Sequence, residues 1–327
     1  MGKLSAASNA LEGETFEYAT AMKNIGSDTA RRLIVGERGT GKTTMLLQAM
    51  TMAFLKGWVV INIPEALTIG HTDYAPTTST PPTTYTQKTY TAKLLSQIAR
   101  ANESVLSQLQ LSTPHTPTPT LPSIPSNISL ARLGLLGAED ATIAHEIFTI
   151  LLRELQAPDR PPLLLCIDNL AHVMRDSKYR DAEFKLIHAH QLELVKWLVS
   201  HLSGSQPLTN GGMVLAATSS SNAPSVRTLN MALESLEAGR TLEGRDALVR
   251  WDERVLGVFE RPGLHVQRLG GLDKDEAKGL MEYWARSGVL LDRVDEKRVG
   301  EEWVVSGGGI LGELERGCIR GRVGYQI

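Results

Sequence analysis

Gly36-Glu37-Arg38-Gly39-Thr40-Gly41-Lys42-Thr43 satisfies G-x-x-x-x-G-K-[ST] in full, with the apolar run Leu33-Ile34-Val35 before it and the helix-like stretch Thr44-Met45-Leu46-Leu47-Gln48-Ala49-Met50 after it. Strand, glycine-rich turn and helix in that order make a phosphate-binding P-loop. The glycines allow a tight turn whose backbone N–H groups point at phosphate oxygens, and the helix that follows adds its positive end. Gly36, Glu37, Arg38, Gly39, Thr40, Gly41, Lys42, Thr43 and Thr44 are therefore the candidate nucleotide-binding residues. Among them Lys42 is expected on the β/γ-phosphates and Thr43 on Mg²⁺.

Outward from the loop, Gly57 closes the first helix and Trp58 to Ile63 reads as a second strand stopped by Pro64. Leu163-Leu164-Leu165-Cys166-Ile167-Asp168, after Arg160-Pro161-Pro162, is a continuous apolar run ending in an acid, the pattern of a buried parallel strand with a Walker B aspartate. Asp168 and Thr43 would share one metal ion. An aspartate there also serves as an ordinary cap for the loop after a buried strand. Met213 to Ala217 gives another buried strand, and Leu264 to Leu269 a fifth. Ser219-Ser220-Ser221-Asn222 follows the fourth of these. It lies where proteins of this type keep a sensor near the γ-phosphate, with Asn222 the candidate, although Ser and Asn are equally good turn formers.

Strands alternating with helices imply an α/β fold, a P-loop core with a parallel sheet flanked by helices. Helices are expected over Ala92 to Leu109, Glu139 to Gln156 and Glu183 to His201, the last capped by Gly204. A small C-terminal helical lid is expected from Lys274 to Ser287, Val294 to Trp303 and Ile310 to Arg316. The domain reading is an unassigned segment over 1–30, a nucleotide-binding domain over 31–270, and a helical subdomain over 271–327. Thr/Pro-rich insertions near 72–91 and 112–128 read as surface excursions whose composition cannot pack a core.

Composition narrows the function classes. The 327 residues carry 34 Lys and Arg against 36 Asp and Glu, a formal charge of −2. No strongly basic field exists to hold nucleic acid mainly through phosphates, so any RNA contact is expected to be local. Two cysteines leave no disulfide framework and no zinc-ligand spacing. The apolar runs are too short to span a bilayer, and the start of the chain shows neither a secretory signal nor an Arg-rich transit peptide. His188 and His190, read as lying on one helix, would point to different faces and make a poor metal pair. Arg227, Arg240 and Arg245 read as solvated charges, and the five tryptophans as packing residues.

Turnover is a separate question from binding. Many P-loop ATPases place a Glu after the Walker B Asp to activate water, and here that position is Asn169. A carboxamide cannot take the proton, so at most slow GTP or ATP hydrolysis is expected.

Further phrases occur in a recognisable order: Trp58 to Pro64, Tyr90 to Leu95 with Ala101 to Leu106, Thr218 to Pro224, Gly271 to Ala277 with Met281 to Ala285, and Ser306 to Arg316. Together they resemble the P-loop protein of the mitochondrial small ribosomal subunit, the death-associated protein 3 family, in its fungal form. The resemblance covers most of Arg31 to Arg316 and gives no clear match before Arg31. It implies an AAA-like fold in the head of the small subunit, facing the large subunit. The family's phosphate-binding positions carry over to Gly36 through Thr44 and its metal-side acid to Asp168. The implied cofactors are GTP or GDP with Mg²⁺, ATP remaining the alternative because no N-K-x-D guanine motif occurs. The implied partners are small-subunit ribosomal proteins, limited rRNA and a bridge to the large subunit in the mitochondrial matrix, with no membrane. The competing reading is a free-standing AAA-like ATPase switch acting on a protein partner; a small-molecule phosphotransferase is disfavoured because no Arg-rich lid follows the P-loop.

Overall fold

Five segments pair side by side, the inner Leu163–Ile167 and Gly212–Ala217 buried on both faces and the edge strand Leu264–Leu269 buried only at Leu269. The computed structural model describes residues 28–63, 73–77, 83–219, 224–240 and 250–319. Strands β1 (Thr29–Gly36), β2 (Val59–Ile63), β5 (Leu163–Ile167), β8 (Gly212–Ala217) and β9 (Leu264–Leu269) form one sheet in the order β2-β5-β8-β1-β9. Every pairing in it is parallel. Side chains alternate between two apolar layers, as the strand period of two requires. Leu33, Ile61, Leu165 and Val214 face the larger layer, while Ile34, Val60, Leu164, Cys166 and Leu215 face the smaller. The smaller layer is filled by helix α1 (Lys42–Leu55) through Met45, Leu46, Ala49 and Ala53.

The larger layer holds α2 (Lys88–Ala101), α4 (Leu130–Glu139), α5 (Ala144–Leu155), α6 (Glu193–Leu202), α7 (Arg227–Glu237) and α8 (Glu253–Phe259), with the one-turn α3 (Glu103–Leu106) after α2. Beyond β9, helices α9 (Lys274–Arg286), α10 (Glu296–Val305) and α11 (Leu311–Cys318) gather round an apolar cluster of their own, centred on Met281, Val299 and Leu314. Asp273 and Asp295 cap α9 and α10 through their side chains, which explains why these starts were legible.

Several expectations need correction. The helix expected over Ala92 to Leu109 starts earlier, at Lys88, and is interrupted at Asn102. The helix expected from Glu139 ends there instead: Ser129 caps α4 by accepting from the Arg132 N–H, and α5 begins after a turn. The long helix over Glu183 to His201 is only its second half. Residues before it form a hairpin of β6 (Asp176–Arg180) and β7 (Leu186–His188), followed by a 3₁₀ turn over Ala189–Gln191. Alternation had the better claim there, since Ser177 and Tyr179 are buried while Asp176, Lys178 and Arg180 are exposed.

Both Thr/Pro-rich stretches are also more structured than their composition suggests. In the first, the described residues pair β3 (Ala75–Pro76) with β4 (Tyr85–Thr86) and then enter α2. In the second, Leu111, Leu121 and Ile124 are buried in the larger core. Two acids of α5 hold it down. Glu154 accepts from the Ser112 amide and hydroxyl at 2.9 and 2.8 Å and pairs with Arg160 at 2.9 Å. Glu146 accepts from the hydroxyls of Thr118 and Thr120 at 2.7 and 2.6 Å. The hydroxyls that make the segment look unstructured are its anchors.

Buried polar groups fasten the sheet as well. Asn102, 1% exposed, lies against the outer edge of β2, where its Oδ1 accepts from the Val60 N–H at 2.7 Å and its Nδ2 donates to the carbonyls of Val60 and Ile98, both at 2.9 Å. One side chain thus satisfies a strand edge and ends a helix.

Removing that carboxamide leaves the Val60 amide and carbonyl buried without partners. Asn102→Ala is expected to lower stability by about 1–3 kcal/mol, read from the urea midpoint; an unchanged midpoint contradicts the assignment. Acid sensitivity follows from Glu154. Burial works to raise its pKa, but the Ser112 and Arg160 donors outweigh burial and hold the carboxyl below its ordinary value. A depressed folded value gives stability that is complete above the unfolded pKa of about 4.3 and is lost as pH falls through the folded value. Denaturant midpoints should therefore fall below about pH 4.3, with a shallower fall in Glu154→Gln; an equally steep fall in that variant rejects this origin.

Candidate functional site

The parallel register brings the carboxyl ends of β1, β5 and β8 to one edge of the sheet, where α/β proteins place their ligands. Gly36 ends β1 at φ 153°, and a Cβ there would lie 2.5 Å from the Leu269 carbonyl oxygen and 2.9 Å from Thr40 Oγ1. Glycine is required by that contact. Gly39 and Gly41 follow at φ 82° and 95°, left-handed conformations that turn the loop into α1. Thr40 Oγ1 donates to the Glu37 carbonyl at 3.1 Å and braces the turn.

Lys42, the first residue of α1, is 7% exposed and reaches back across the loop. Its ammonium donates to the carbonyl of Gly36 at 2.9 Å and to that of Glu37. Burial holds this ammonium below the ordinary lysine range, against the opposing pull of Asp168 and Glu37. Thr43 Oγ1 donates to Asp168 Oδ2 at 3.2 Å. The two groups expected to share a metal are therefore adjacent across 125 residues of sequence. Asp168 Oδ1 accepts from the Asn169 N–H at 2.9 Å, so the caplike role is present too.

Asn169 occupies a left-handed conformation at φ 61°, tolerable for asparagine, and is 4% exposed. Among the described residues its Oδ1 is buried with no hydrogen-bond partner. A carboxamide oxygen here accepts a hydrogen bond but cannot take a proton at neutral pH.

A cavity of about 400 Å³ opens over these groups, lined by Arg38, Gly39, Gly41, Lys42, Thr43 and Thr44, by Asp168 and Asn169, by Thr218 and Ser219 after β8, and by Leu311, Gly312 and Glu315 of α11. Of the residues expected from sequence, Gly36, Glu37 and Thr40 shape the loop without lining the cavity, and Asn222 lies outside the described residues. The contribution of α11 was missed. Its Gly312 N–H donates to the Gly39 carbonyl at 2.8 Å, and a Cβ on Gly312 would sit 3.2 Å from the Gly39 Cα. The run Gly307-Gly308-Gly309 before it was the available signal. Gly309, at φ 80°, leaves no room for a Cβ beside the Leu272 carbonyl, which itself accepts from Trp303 Nε1 at 2.7 Å.

His188 and His190 need correction. They are not on a helix: His188 ends β7, its Nδ1 accepts from the His190 N–H at 3.1 Å, and the rings meet edge to face at 4.6 Å. Burial lowers both, His190 to about 3, so both rings are neutral at physiological pH. Arg227 opens α7, and Arg245 lies outside the described residues.

The glycine contact between α11 and the P-loop yields a test. Gly312→Val forces the two backbones apart, so amide exchange over 306–318 should accelerate at least roughly tenfold while the core strands stay protected; unchanged exchange contradicts the contact.

The family model described as mitochondrial ribosomal death-associated protein 3 matches residues 13–317, beginning well before Arg31, where the sequence phrases gave no clear match. A protein of Neurospora crassa named small ribosomal subunit protein mS29 is 44% identical over 94% of this chain and 66% of its own length. The protein of the same name from Schizosaccharomyces pombe is 25% identical over 88% of this chain and 58% of its own. The chain thus spans less than two thirds of the length of either relative. Among solved structures, the Aeropyrum pernix ORC2 protein in its ADP form matches with a TM-score of 0.45 at 14% identity, covering 93% of this chain and 59% of that one. P-loop, Walker B strand and parallel order make the fold an AAA-like P-loop core, and by the extent of the family match the chain belongs to the mitochondrial ribosomal death-associated protein 3 family.

Proposed function

We propose that this chain is a structural constituent of the mitochondrial small ribosomal subunit that holds a purine nucleotide, GTP or GDP, with Mg²⁺, in support of mitochondrial translation. Family membership supports the ribosomal role and the mitochondrial location, and the family resemblance adds a place in the subunit head facing the large subunit. The observation that carries the nucleotide part is the 3.2 Å contact of Thr43 with Asp168 beside the buried Lys42. A threonine hydroxyl and a carboxylate suit Mg²⁺, which keeps most of its waters and needs few protein ligands. When bound, the ion would neutralise phosphate charge. Lys42 would leave the loop carbonyls for phosphate oxygens, and the N–H groups of Gly39 through Thr44 would cradle them.

Asn169 favours retention over turnover, because the position after Asp168 offers no proton acceptor. That counts against the free-standing ATPase switch, which needs efficient hydrolysis. Near-neutral charge, −2 overall, supports protein neighbours as the main contacts, with rRNA limited to local patches.

Tagged chain should sediment with the small mitochondrial subunit on sucrose gradients, and one purine nucleotide per chain should be released on denaturation. Lys42→Ala should lower nucleotide content at least roughly tenfold, since a charge-assisted phosphate contact is worth about 1.5–3 kcal/mol. Migration away from the subunit overturns the ribosomal reading, and a nucleotide-free wild type overturns the nucleotide reading. Fast turnover abolished by Lys42→Ala favours the switch.

A further inference from the structure

The hairpin of β6 and β7 is anchored at its base and exposes two large apolar side chains at its end. Tyr179 and Ile187 are buried in the larger core, the Ser177 hydroxyl donates to the Ile187 carbonyl at 2.6 Å, and Gln87 Nε2 donates to the Tyr179 hydroxyl at 2.9 Å. Tyr74 packs against Tyr179 with the rings tilted and their centroids 4.7 Å apart, and donates its hydroxyl to the Arg180 carbonyl. The turn beyond is closed by Asp181. Its N–H donates to the Lys185 carbonyl, its carbonyl accepts from the Phe184 N–H at 3.1 Å, and its Oδ1 accepts from the N–H groups of Glu183 and Lys185, both at 2.9 Å. Arg180 Nη1 adds a bond to the Phe184 carbonyl at 2.6 Å.

This network holds Phe184 in a left-handed conformation, φ 62°, with 78% of its surface exposed, and Leu186 beside it is 48% exposed. A bulky side chain at positive φ is costly, and persists only where its surroundings over-determine it. Glycine or asparagine would fit that backbone better, and a polar residue would suit that exposure better. Both local rules are broken at one residue, which is where a binding role is expected.

We infer that Phe184, with Leu186, is a docking knob that fills an apolar pocket on a neighbouring protein of the ribosomal subunit. This rests on the ribosomal reading above. The charges around the knob select a protein over RNA: Arg180 and Lys185 are balanced by Asp181 and Glu183, and Lys185 is paired with Glu183 at 2.6 Å. A tip whose charges cancel offers little to a phosphate backbone, whereas an aromatic side chain on a rigid support suits a hydrophobic hot spot.

The test uses the full chain, tagged, in purified small mitochondrial subunits washed at high salt, which screens phosphate contacts and spares apolar ones. Phe184→Gly relieves the backbone, so the isolated chain should melt at or above the wild-type Tm, by roughly 2 °C. The fraction retained on the subunit should nevertheless fall at least roughly fivefold, while Phe184→Tyr keeps most of it. A photoreactive benzoylphenylalanine at 184 should crosslink to one ribosomal protein of the particle. Retention equal to wild type in Phe184→Gly, an adduct with rRNA, or no adduct overturns the knob while leaving the ribosomal reading intact. If the wild-type chain is itself absent from the subunit, both fall.

Discussion

The parallel register of β1, β8 and β5 is the constraint on which the rest depends. Ile34 lies opposite Ala217 and Ala216 lies opposite Ile167, so the P-loop, the acid after β5 and the polar residues after β8 emerge at one level. A slip of one residue would turn every side chain of a strand to the opposite face, mixing two apolar layers that the sequence keeps apart. That is why Thr43 meets Asp168, why the buried Lys42 lies beside them, and why Thr218 and Ser219 line the same cavity. Positional accuracy at the site is inherited from packing at the sheet.

Polar side chains then fix what hydrophobic burial leaves free. Arg31 donates to the carbonyls of Leu202 and Pro262, tying the start of β1 to the end of α6 and to the approach to β9. Asn102 closes the outer edge of β2, and Glu154 with Glu146 hold down the Thr/Pro-rich segment. Asn102 satisfies backbone groups that would otherwise be buried unpaired, so its loss costs more than the bonds it makes, while the two glutamates hold hydroxyls that lie nearer the surface. At the site the same role falls to glycine: Gly39 and Gly312 let loop and lid backbones touch, and the cavity gets a wall from a distant part of the chain.

What could be read from sequence was whatever leaves a local mark. The P-loop carries its glycines, β1, β2, β5 and β8 carry dense apolar runs, and α9 and α10 carry capping aspartates at their starts. Asp168 could be placed because it ends such a run. The hairpin could not, because its short strands are half polar and its apolar residues also fit a helix that continues into Glu193–Leu202. Likewise α4, an Ala-, Leu- and Gly-rich segment after a Pro/Ser/Thr tract, looks like linker until Ala99 and Leu95 are seen packed against Gly134 and Gly137. The lid's share in the cavity was missed for another reason. Gly312 acts through its backbone and its lack of a side chain, and its one mark in the sequence is the glycine run Gly307-Gly308-Gly309 just before it.

The central claim is that this P-loop stores a nucleotide inside a ribosomal subunit instead of spending it. Its most direct test is to isolate intact small mitochondrial subunits, denature them, and quantify by mass spectrometry the nucleotide released per copy of this chain, before and after prolonged incubation with Mg²⁺. The account predicts close to one purine nucleotide per chain, unchanged in amount over hours. Subunits that contain the chain but release no nucleotide, or that continually convert added triphosphate through this site, would contradict it.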